Sequence, residues 1–156
     1  MHLTDKQIKD YKNLGVIIIK DVFKDWIEPL RSGFQKVLNN PSKHGRENVT
    51  DNKGRFFEDY CNWQRISEFK DCIFNSQAAQ IVAEATSSKL SQIFHEHIFI
   101  KEAGTHKETP WHQDMPYYCT DGNKTCLVCL FLSSIILQLF NTQYMCAISV
   151  AIMEGR

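Results

Sequence analysis

The stretch TPWHQDMPYY, residues 109–118, places an imidazole and a carboxylate two positions apart, at His112 and Asp114. Side chains at alternate positions of an extended segment point to the same side, so both groups would face one point if this segment is extended. A nitrogen and an oxygen ligand suit non-heme iron(II), which two histidines and one carboxylate hold while other coordination positions stay open. A solvated pair of surface residues is the competing interpretation of so short a motif.

Other side chains near this motif are suited to holding small molecules. Lys101 ends a predicted strand just before the motif, where its ammonium group would pair with an acidic co-substrate. Trp111, Tyr117 and Tyr118 are candidates for the wall of a substrate pocket, because aromatic side chains often line such clefts. The alternatives are a solvated lysine at a strand end and aromatic rings that only pack beneath the loop.

Two further pairs have the spacing of metal ligands. His95 and His97 alternate in a predicted strand and would supply a ligand if a hairpin brings them beside His112, but a pair packed in the sheet is the simpler interpretation. Cys126 and Cys129 have the spacing of a single zinc knuckle, with no second pair to complete a site. In an apolar run, cysteine more often behaves as a small hydrophobic residue.

The run HEHIFIKEAGTHKETPWHQDMPYY, residues 95–118, resembles the phytanoyl-CoA dioxygenase family. The family pattern has a strand ending in Phe-x-Lys-x-x-Gly-Thr, a short loop, Thr-Pro-Trp-His-Gln-Asp, and then proline and aromatic residues. The opening LTDKQIKDYKNLGVIIIKDVF is similar to the start of family members. The matching residues of this chain are Phe99, Lys101, Gly104, Thr105, Thr109, Pro110, Trp111, His112, Gln113, Asp114, Pro116, Tyr117 and Tyr118.

The resemblance implies an α+β fold, an incomplete double-stranded β-helix (a cupin-like jelly roll) with the N-terminal helices packed outside. It implies that iron(II) is held by His112, Asp114 and a histidine far downstream, and that 2-oxoglutarate is the co-substrate, with ascorbate as a further reductant. Such enzymes couple decarboxylation of 2-oxoglutarate to hydroxylation of a C–H bond. The substrate would be a small or lipid-like organic molecule.

The chain departs from this pattern after the motif. No histidine follows Asp114, and Arg156 is the sole arginine after Arg65, so neither the second histidine nor the family's 2-oxoglutarate arginine has a counterpart. We therefore interpret residues 1–125 as the N-terminal part of a family domain, truncated at its C-terminal side, and residues 126–156 as a divergent apolar tail. The alternative to an oxygenase is an inactive truncated isoform or pseudo-enzyme. A tail without charged residues from Thr125 to Met153 could also associate with a membrane through residues 127–152.

Local patterns predict the elements that position the motif. Thr4 with Gln7 forms a capping box for a first helix that stops at Gly15, and the β-branched run VIIIK predicts a buried strand. A second helix has its apolar face at Trp26, Leu30, Phe34 and Leu38, with Asp25 as its cap and Pro29 in the first turn. After a polar loop at 40–55, one or two helices lie between 66 and 88, the second capped by Ser76. Alternation from Leu90 to Ile100 predicts a strand with apolar residues on both faces, and residues 109–118 are predicted to form the next extended segment. As the alternative to membrane association, residues 127–132 and 135–140 of the tail could form two buried strands, for which no partner strands are expected.

Composition limits the class of protein. The 156 residues include 18 basic and 18 acidic side chains, so the chain has no electrostatic footprint for nucleic acid. The polar opening has no secretory signal, and six cysteines then fit a reducing compartment, which predicts a cytoplasmic protein with membrane association as the alternative. The expected partner is a small-molecule or lipid-like substrate.

Overall fold

The structure, a computed structural model, describes residues 1–48, 54–102, 104–105, 107–108, 110–112, 116, 124–131 and 142–152, and for 124–125, 131 and 142–152 it describes the backbone alone. The helices are α1 (Asp5–Leu14), α2 (Ile27–Asn39), α3 (Ser67–Asn75) and α4 (Ala78–Thr86), with a short 3-10 helix at Lys24–Trp26. The strands are β1 (Arg46–Glu47), β2 (Phe56–Tyr60), β3 (Gln92–Glu102), β4 (Lys124–Phe131) and β5 (Thr142–Ile152).

Helix α1 begins and ends where the sequence predicts. The Thr4 side chain accepts from the backbone N–H of Gln7, and the Gln7 side chain accepts from the backbone of Thr4, which together form the capping box. Gly15 follows the helix with a φ of 75°, and its N–H donates to the carbonyl of Tyr11. Glycine adopts this left-handed conformation without a steric penalty, so it ends the helix.

The prediction that the run VIIIK forms a strand is wrong, because residues 16–20 are not in a strand. Ile17 and Ile19 pack inward on a small cluster around Leu3, whereas Val16 and Ile18 are exposed. The alternation in exposure is that of an extended segment, but no described strand pairs with it. β-branched residues favour extended backbone, yet a strand also needs a partner, and the local sequence does not specify one.

Helix α2 has the predicted apolar face but a different start. Leu30, Phe34 and Val37 are buried, and Pro29 lies in the first turn. The predicted cap at Asp25 is wrong, because residues 24–26 form the 3-10 helix and no side chain caps α2. The tighter 3-10 turn leads the chain into the helix in place of an Asp cap.

Two helices, α3 and α4, follow β2, as the sequence predicts. Ser76 is not the capping position of α4, which is Gln77, but the Ser76 hydroxyl accepts from the N–H of Ala78 at 3.2 Å. The serine therefore caps the first turn from one residue further upstream. The predicted polar loop at 40–55 contains the two-residue strand β1, which pairs with β2.

The sheet is antiparallel, with strand order β1-β2-β3-β5-β4. The predicted strand is confirmed as β3, which pairs with β2 at one edge and with β5 at the other. In an antiparallel pair, residues directly opposite share a face. Ile98 and Ile100 of β3 thus share a face with Asp59 and Phe57 of β2.

That face packs against the helices and forms the core. Its buried apolar residues come from α2, α3, α4 and the sheet, with an edge-to-face contact between Phe34 and Phe69 at 5.7 Å. They are Leu30, Phe34, Val37, Phe57, Ile66, Phe69, Cys72, Ile73, Val82, Ile98, Ile100, Cys126 and Leu130. The α+β class is confirmed as helices on an antiparallel sheet, whereas the second, facing sheet of a jelly roll is not found among the described residues.

The apolar end of the sequence contributes two strands to this sheet. β4 overlaps the predicted strand 127–132, and β5 lies between β3 and β4, so the expectation that tail strands lack partners is wrong. The predicted strand at 135–140 lies outside the described residues. Strand β4 crosses residue 125, where the sequence predicts that the family domain ends and a divergent tail begins. That boundary stays a prediction. Over the described ranges, no helix is both long and apolar enough to cross a bilayer.

A buried carboxylate ties β3 to the chain that follows β2. Glu96 is fully buried on the helix side, where it accepts hydrogen bonds from the backbone N–H groups of Asn62 and Trp63, the latter at 3.0 Å. Burial raises the pKa of Glu96, and these two N–H groups oppose that rise. The carboxylate satisfies donors that would otherwise be buried without partners.

Asp59 is a second buried carboxylate that accepts hydrogen bonds from backbone N–H groups. It is fully buried and accepts from the N–H groups of Ser42 and Tyr60, both at 2.8 Å. The guanidinium of Arg65 lies 3.8 Å from its carboxylate. Asp59 thereby fixes the loop that leads into β1 against the sheet.

Glu58 lies on the opposite face of β2, away from the helices. Its carboxylate accepts from Arg46 Nε at 2.6 Å and lies 3.4 Å from His97 Nε2. His97 makes the largest contribution to lowering the pKa of Glu58 to about 2; Asn48 and Arg46 also lower it, and burial opposes them. A carboxyl group with a lowered pKa stabilises the fold when it is charged.

Replacing Glu96 with alanine should destabilise the fold by roughly 3 kcal/mol, because two buried N–H groups lose their acceptor. Urea unfolding followed by circular dichroism measures this change. Glu28→Ala, at an exposed site on α2, is the control and should stay within about 0.5 kcal/mol of the unsubstituted chain. Equal losses in both variants would contradict the structural role of Glu96.

Acid should destabilise the fold through Glu58. Because its pKa is lowered, its contribution is fully present above the ordinary pKa of glutamate, near 4.3, and is lost as the pH falls through about 2. The loss corresponds to roughly 3 kcal/mol. Urea unfolding between pH 5 and 2 should therefore show a weaker pH dependence for Glu58→Gln than for the exposed control Glu28→Gln. If the free energy of unfolding changed with pH equally in both variants, Glu58 would not be the group responsible for the acid sensitivity.

Candidate iron-binding loop and the sheet face beside it

The loop that carries the candidate metal ligands begins where β3 ends. Gly104 has a φ of 89°, in the left-handed region, and the N–H of Thr105 donates to the carbonyl of Glu102 at 3.3 Å. A residue with a β-carbon is strained in this conformation, which explains why a glycine follows the strand. The turn directs the chain from the sheet into residues 107–112.

His112 is exposed, and the backbone carbonyl two residues earlier determines which of its ring nitrogens carries the proton. Nδ1 lies 2.7 Å from the carbonyl oxygen of Pro110. A carbonyl oxygen can only accept, so Nδ1 carries the proton in this contact. In the neutral imidazole the lone pair then lies on Nε2, which is the arrangement that a metal-ligating histidine needs.

The partner that the sequence assigns to His112 lies outside the described residues. That partner is Asp114, and Tyr117 and Tyr118 also lie outside the described residues. The convergence of His112 and Asp114 on one metal ion therefore stays a prediction. Trp111 is described and fully exposed. Residues 110–112 are not in a strand, and within the described part of the chain no three His, Cys, Asp or Glu side chains form a group that could hold a metal ion.

Lys101 connects the end of β3 to the loop. Its ammonium group donates to the carbonyl of Lys107 at 3.2 Å and lies 4.3 Å from the centre of the Phe56 ring. Both contacts place the charge beside the segment that leads to His112. A cation over an aromatic face is attracted by the ring's electrons, so this contact helps to hold the ammonium group in place.

A continuous row of rings extends from Lys101 along the same face of the sheet. The ring centres are 6.3 Å apart for Phe56 and Phe99, 4.0 Å for Phe99 and His97, 5.5 Å for His97 and Tyr60, and 4.5 Å for Tyr60 and His44. This face points away from the helices, since the opposite face is buried in the core. We refer to these rings as the ring stripe: His44, Tyr60, His97, Phe99 and Phe56.

The histidine pair of β3 lies on this face, and among the described residues it belongs to no group of three or more side chains that could hold a metal ion. His95 and His97 have ring centres 6.4 Å apart, and each contacts Tyr60. The sequence identified the alternation of these histidines but not their neighbours Glu58, Tyr60 and His44. Those residues lie 35 or more positions away along the chain. The alternation of side chains along β2 could have indicated which of them share a face with the histidines, but β2 is too short for that pattern to be recognised.

The cysteine pair does not form half of a zinc site. Cys126 is buried, whereas Cys129 is exposed, both in β4. Positions three apart in a strand lie on opposite faces, so the two thiols diverge. Cys126 instead contacts Tyr11 in the core; burial raises the pKa of each group. The interpretation of Cys126 as a small hydrophobic residue agrees with these contacts.

Comparison with known proteins identifies the family. No curated protein and no solved structure matches this sequence. The family model described as phytanoyl-CoA dioxygenase matches residues 11–135, most of the chain, including the loop with His112, the end of β3 and strand β4. Proteins of that family depend in general on iron(II) and 2-oxoglutarate. The chain belongs to the phytanoyl-CoA dioxygenase family.

Proposed function

We propose that this protein is an iron(II)/2-oxoglutarate-dependent oxygenase that hydroxylates a small or lipid-like organic substrate. His112 and Asp114 would hold the iron, and Lys101 would bind 2-oxoglutarate. When bound, iron and 2-oxoglutarate supply the oxidising chemistry, and the residues of the chain bind and orient the reactants. Residues 1–125 would be the N-terminal part of the oxygenase domain, within a jelly-roll fold that the described sheet would begin.

The observation that carries the proposal is the contact between His112 and Pro110. A nitrogen ligand must offer a lone pair, and the 2.7 Å contact at Nδ1 leaves that lone pair on Nε2. The exposure of His112 lets a metal reach it. A histidine and an aspartate form a mixed nitrogen and oxygen donor set, which fits iron(II) better than thiolate-preferring metals.

Lys101 supports the second part of the proposal. 2-Oxoglutarate carries two carboxylates, one to chelate the metal and one to pair with a cation. The Lys101 ammonium lies beside the backbone of Lys107, five residues before His112, so its charge is close to the metal loop. No arginine lies between Asp114 and Arg156, and Lys101 is the basic group whose ammonium contacts the backbone of the segment leading to His112.

The aromatic residues of the loop would form the mouth of the pocket. Trp111 presents its whole indole to the surface, where it would close over a bound substrate. Tyr117 and Tyr118 would complete that wall. Rings at the rim of a cleft exclude water from an apolar ligand, which suits hydroxylation of a C–H bond.

Removing a ligand should weaken iron binding. Anaerobic calorimetric titration of the full chain with Fe(II) should show affinity reduced at least about tenfold for His112→Ala and for Asp114→Ala, since even an outer partner of a metal ligand contributes that much. His2→Ala removes an imidazole that contacts Glu84 and Gln80 of α4 and is the matched control. Unchanged affinity in the first two variants would contradict the proposed metal site.

Lys101 should determine the affinity for 2-oxoglutarate. With Fe(II) present, Lys101→Gln should raise the Kd for 2-oxoglutarate at least about tenfold, because a charged hydrogen-bond partner of a carboxylate is lost. Lys107→Gln is the matched control. Lys101 contacts Lys107 through its backbone carbonyl, which this substitution keeps. Succinate release measures turnover in the same samples. Equal Kd values for the two variants would contradict the role of Lys101.

A further inference from the structure

The segment at residues 16–20 has the alternation of a strand, but no described strand lies beside it. Ile17 and Ile19 pack inward, whereas Val16 and Ile18 are 62% and 84% exposed. Among the described residues, its backbone groups make no hydrogen bond to another backbone group. An extended segment in this state offers a row of free donors and acceptors to an added strand.

An open groove of about 330 Å³ lies beside this segment. Its apolar wall includes Leu14, which is 72% exposed, next to Val16 and Ile18. Its polar wall includes the carboxylate of Asp10, which is 37% exposed and contacts Lys6 on the surface of α1. The groove therefore combines exposed apolar side chains with one acidic group, which suits a partner that has an apolar strand and a basic side chain.

The segment is complementary to a second copy of itself. In an antiparallel pair, residues directly opposite each other share a face. With a two-fold axis through Ile18, each Ile17 lies opposite Ile19 of the other copy, so the inward-facing side chains form one apolar layer across the axis. A shift by one residue would pair inward-facing with outward-facing side chains, which the alternation excludes.

Charge supports the same register. With Ile18 on the axis, Val16 of one copy lies opposite Lys20 of the other, and both side chains are on the exposed face. Val16 lines the groove that contains Asp10, so the side chain of Lys20 would enter the groove of the other copy. The apolar stem of a lysine can cover a valine while its ammonium group meets a carboxylate. Each copy thus supplies the basic side chain that the groove of the other copy suits.

We propose that residues 16–20 form the interface of a homodimer, in which they pair antiparallel with the same residues of a second copy about a two-fold axis at Ile18. The pairing satisfies the free backbone groups, covers Val16 and Ile18, and forms a contact between Lys20 and Asp10 at each end. Because each copy uses the same segment, the assembly closes as a dimer. The interface contains none of the residues proposed to bind iron or 2-oxoglutarate, so it does not depend on the proposed function.

Sedimentation velocity of the full chain, with reductant and over a wide concentration series, measures the dissociation constant of the dimer. Ile18→Asp should raise that constant at least about tenfold, because two carboxylates would lie directly opposite each other. Ile18 is so exposed that the fold should be kept, which circular dichroism checks. Leu90→Asp is the matched control, since it changes a leucine that is 74% exposed outside the segment, and should leave the constant unchanged.

Reversing the charges tests the contact between Lys20 and Asp10. Lys20→Glu should raise the dissociation constant about threefold, because it places two acidic groups together in the groove. Adding Asp10→Lys to the same chain should restore the constant, since the pair forms again with its charges exchanged.

A cysteine on the axis tests the register. Under mild oxidation, Ile18→Cys should form a disulfide between copies, because directly opposite residues are within the distance that a disulfide spans. Val16→Cys lies opposite residue 20 and should cross-link no more than the unsubstituted chain, which reports any cross-linking through native cysteines. A monomer at every concentration would overturn the proposal, as would a dissociation constant that Ile18→Asp and Leu90→Asp change equally. Failure of the charge reversal to restore the constant, or cross-linking by Val16→Cys and not by Ile18→Cys, would also overturn it.

Discussion

The alternation of side chains along β3 is the constraint on which the rest of the structure depends. One set of positions, including Glu96, Ile98 and Ile100, is buried against the helices. The other set, with His97, Phe99 and Lys101, forms the opposite face. A shift of the strand by one residue would exchange the two sets, placing imidazoles in the core and isoleucines on the opposite face. Pairing with both β2 and β5 fixes the register and therefore the chemistry of the face.

Buried carboxylates make this register specific. Glu96 and Asp59 are both fully buried; Glu96 accepts from backbone N–H groups that follow β2, and Asp59 accepts from that of Ser42, before β1. A misaligned strand would leave these charges without donors in the core, which costs several kcal/mol. The apolar core provides most of the driving force for folding, and the carboxylates select one arrangement among those that bury similar apolar area.

Local patterns in the sequence were sufficient for some elements and insufficient for others. The capping residues Thr4 and Gly15 determine both ends of α1, and alternation determines β3, because each signal lies within one element. The segment VIIIK has the composition of a strand, but a strand depends on a partner elsewhere in the chain. The order β3-β5-β4 likewise depends on contacts between distant segments, so the apolar tail gave no indication that it pairs with the middle of the chain.

The same distinction applies to the candidate site. His112 and Lys101 were found from a motif, and their contacts with Pro110 and Lys107 are local in sequence. The partnership of His97 with Glu58 joins two strands far apart in the chain, and no local pattern encodes it. Motifs thus identified the residues proposed to bind iron and 2-oxoglutarate, whereas the neighbours of His97 became visible only in the fold.

Nitrogen-15 NMR of the imidazole side chains tests the central claim most directly. In the metal-free chain, the account predicts that neutral His112 carries its proton on Nδ1, donated to Pro110, and that Fe(II) broadens the His112 signals before those of His2 and His44. A proton on Nε2, or broadening that spares His112, would contradict it.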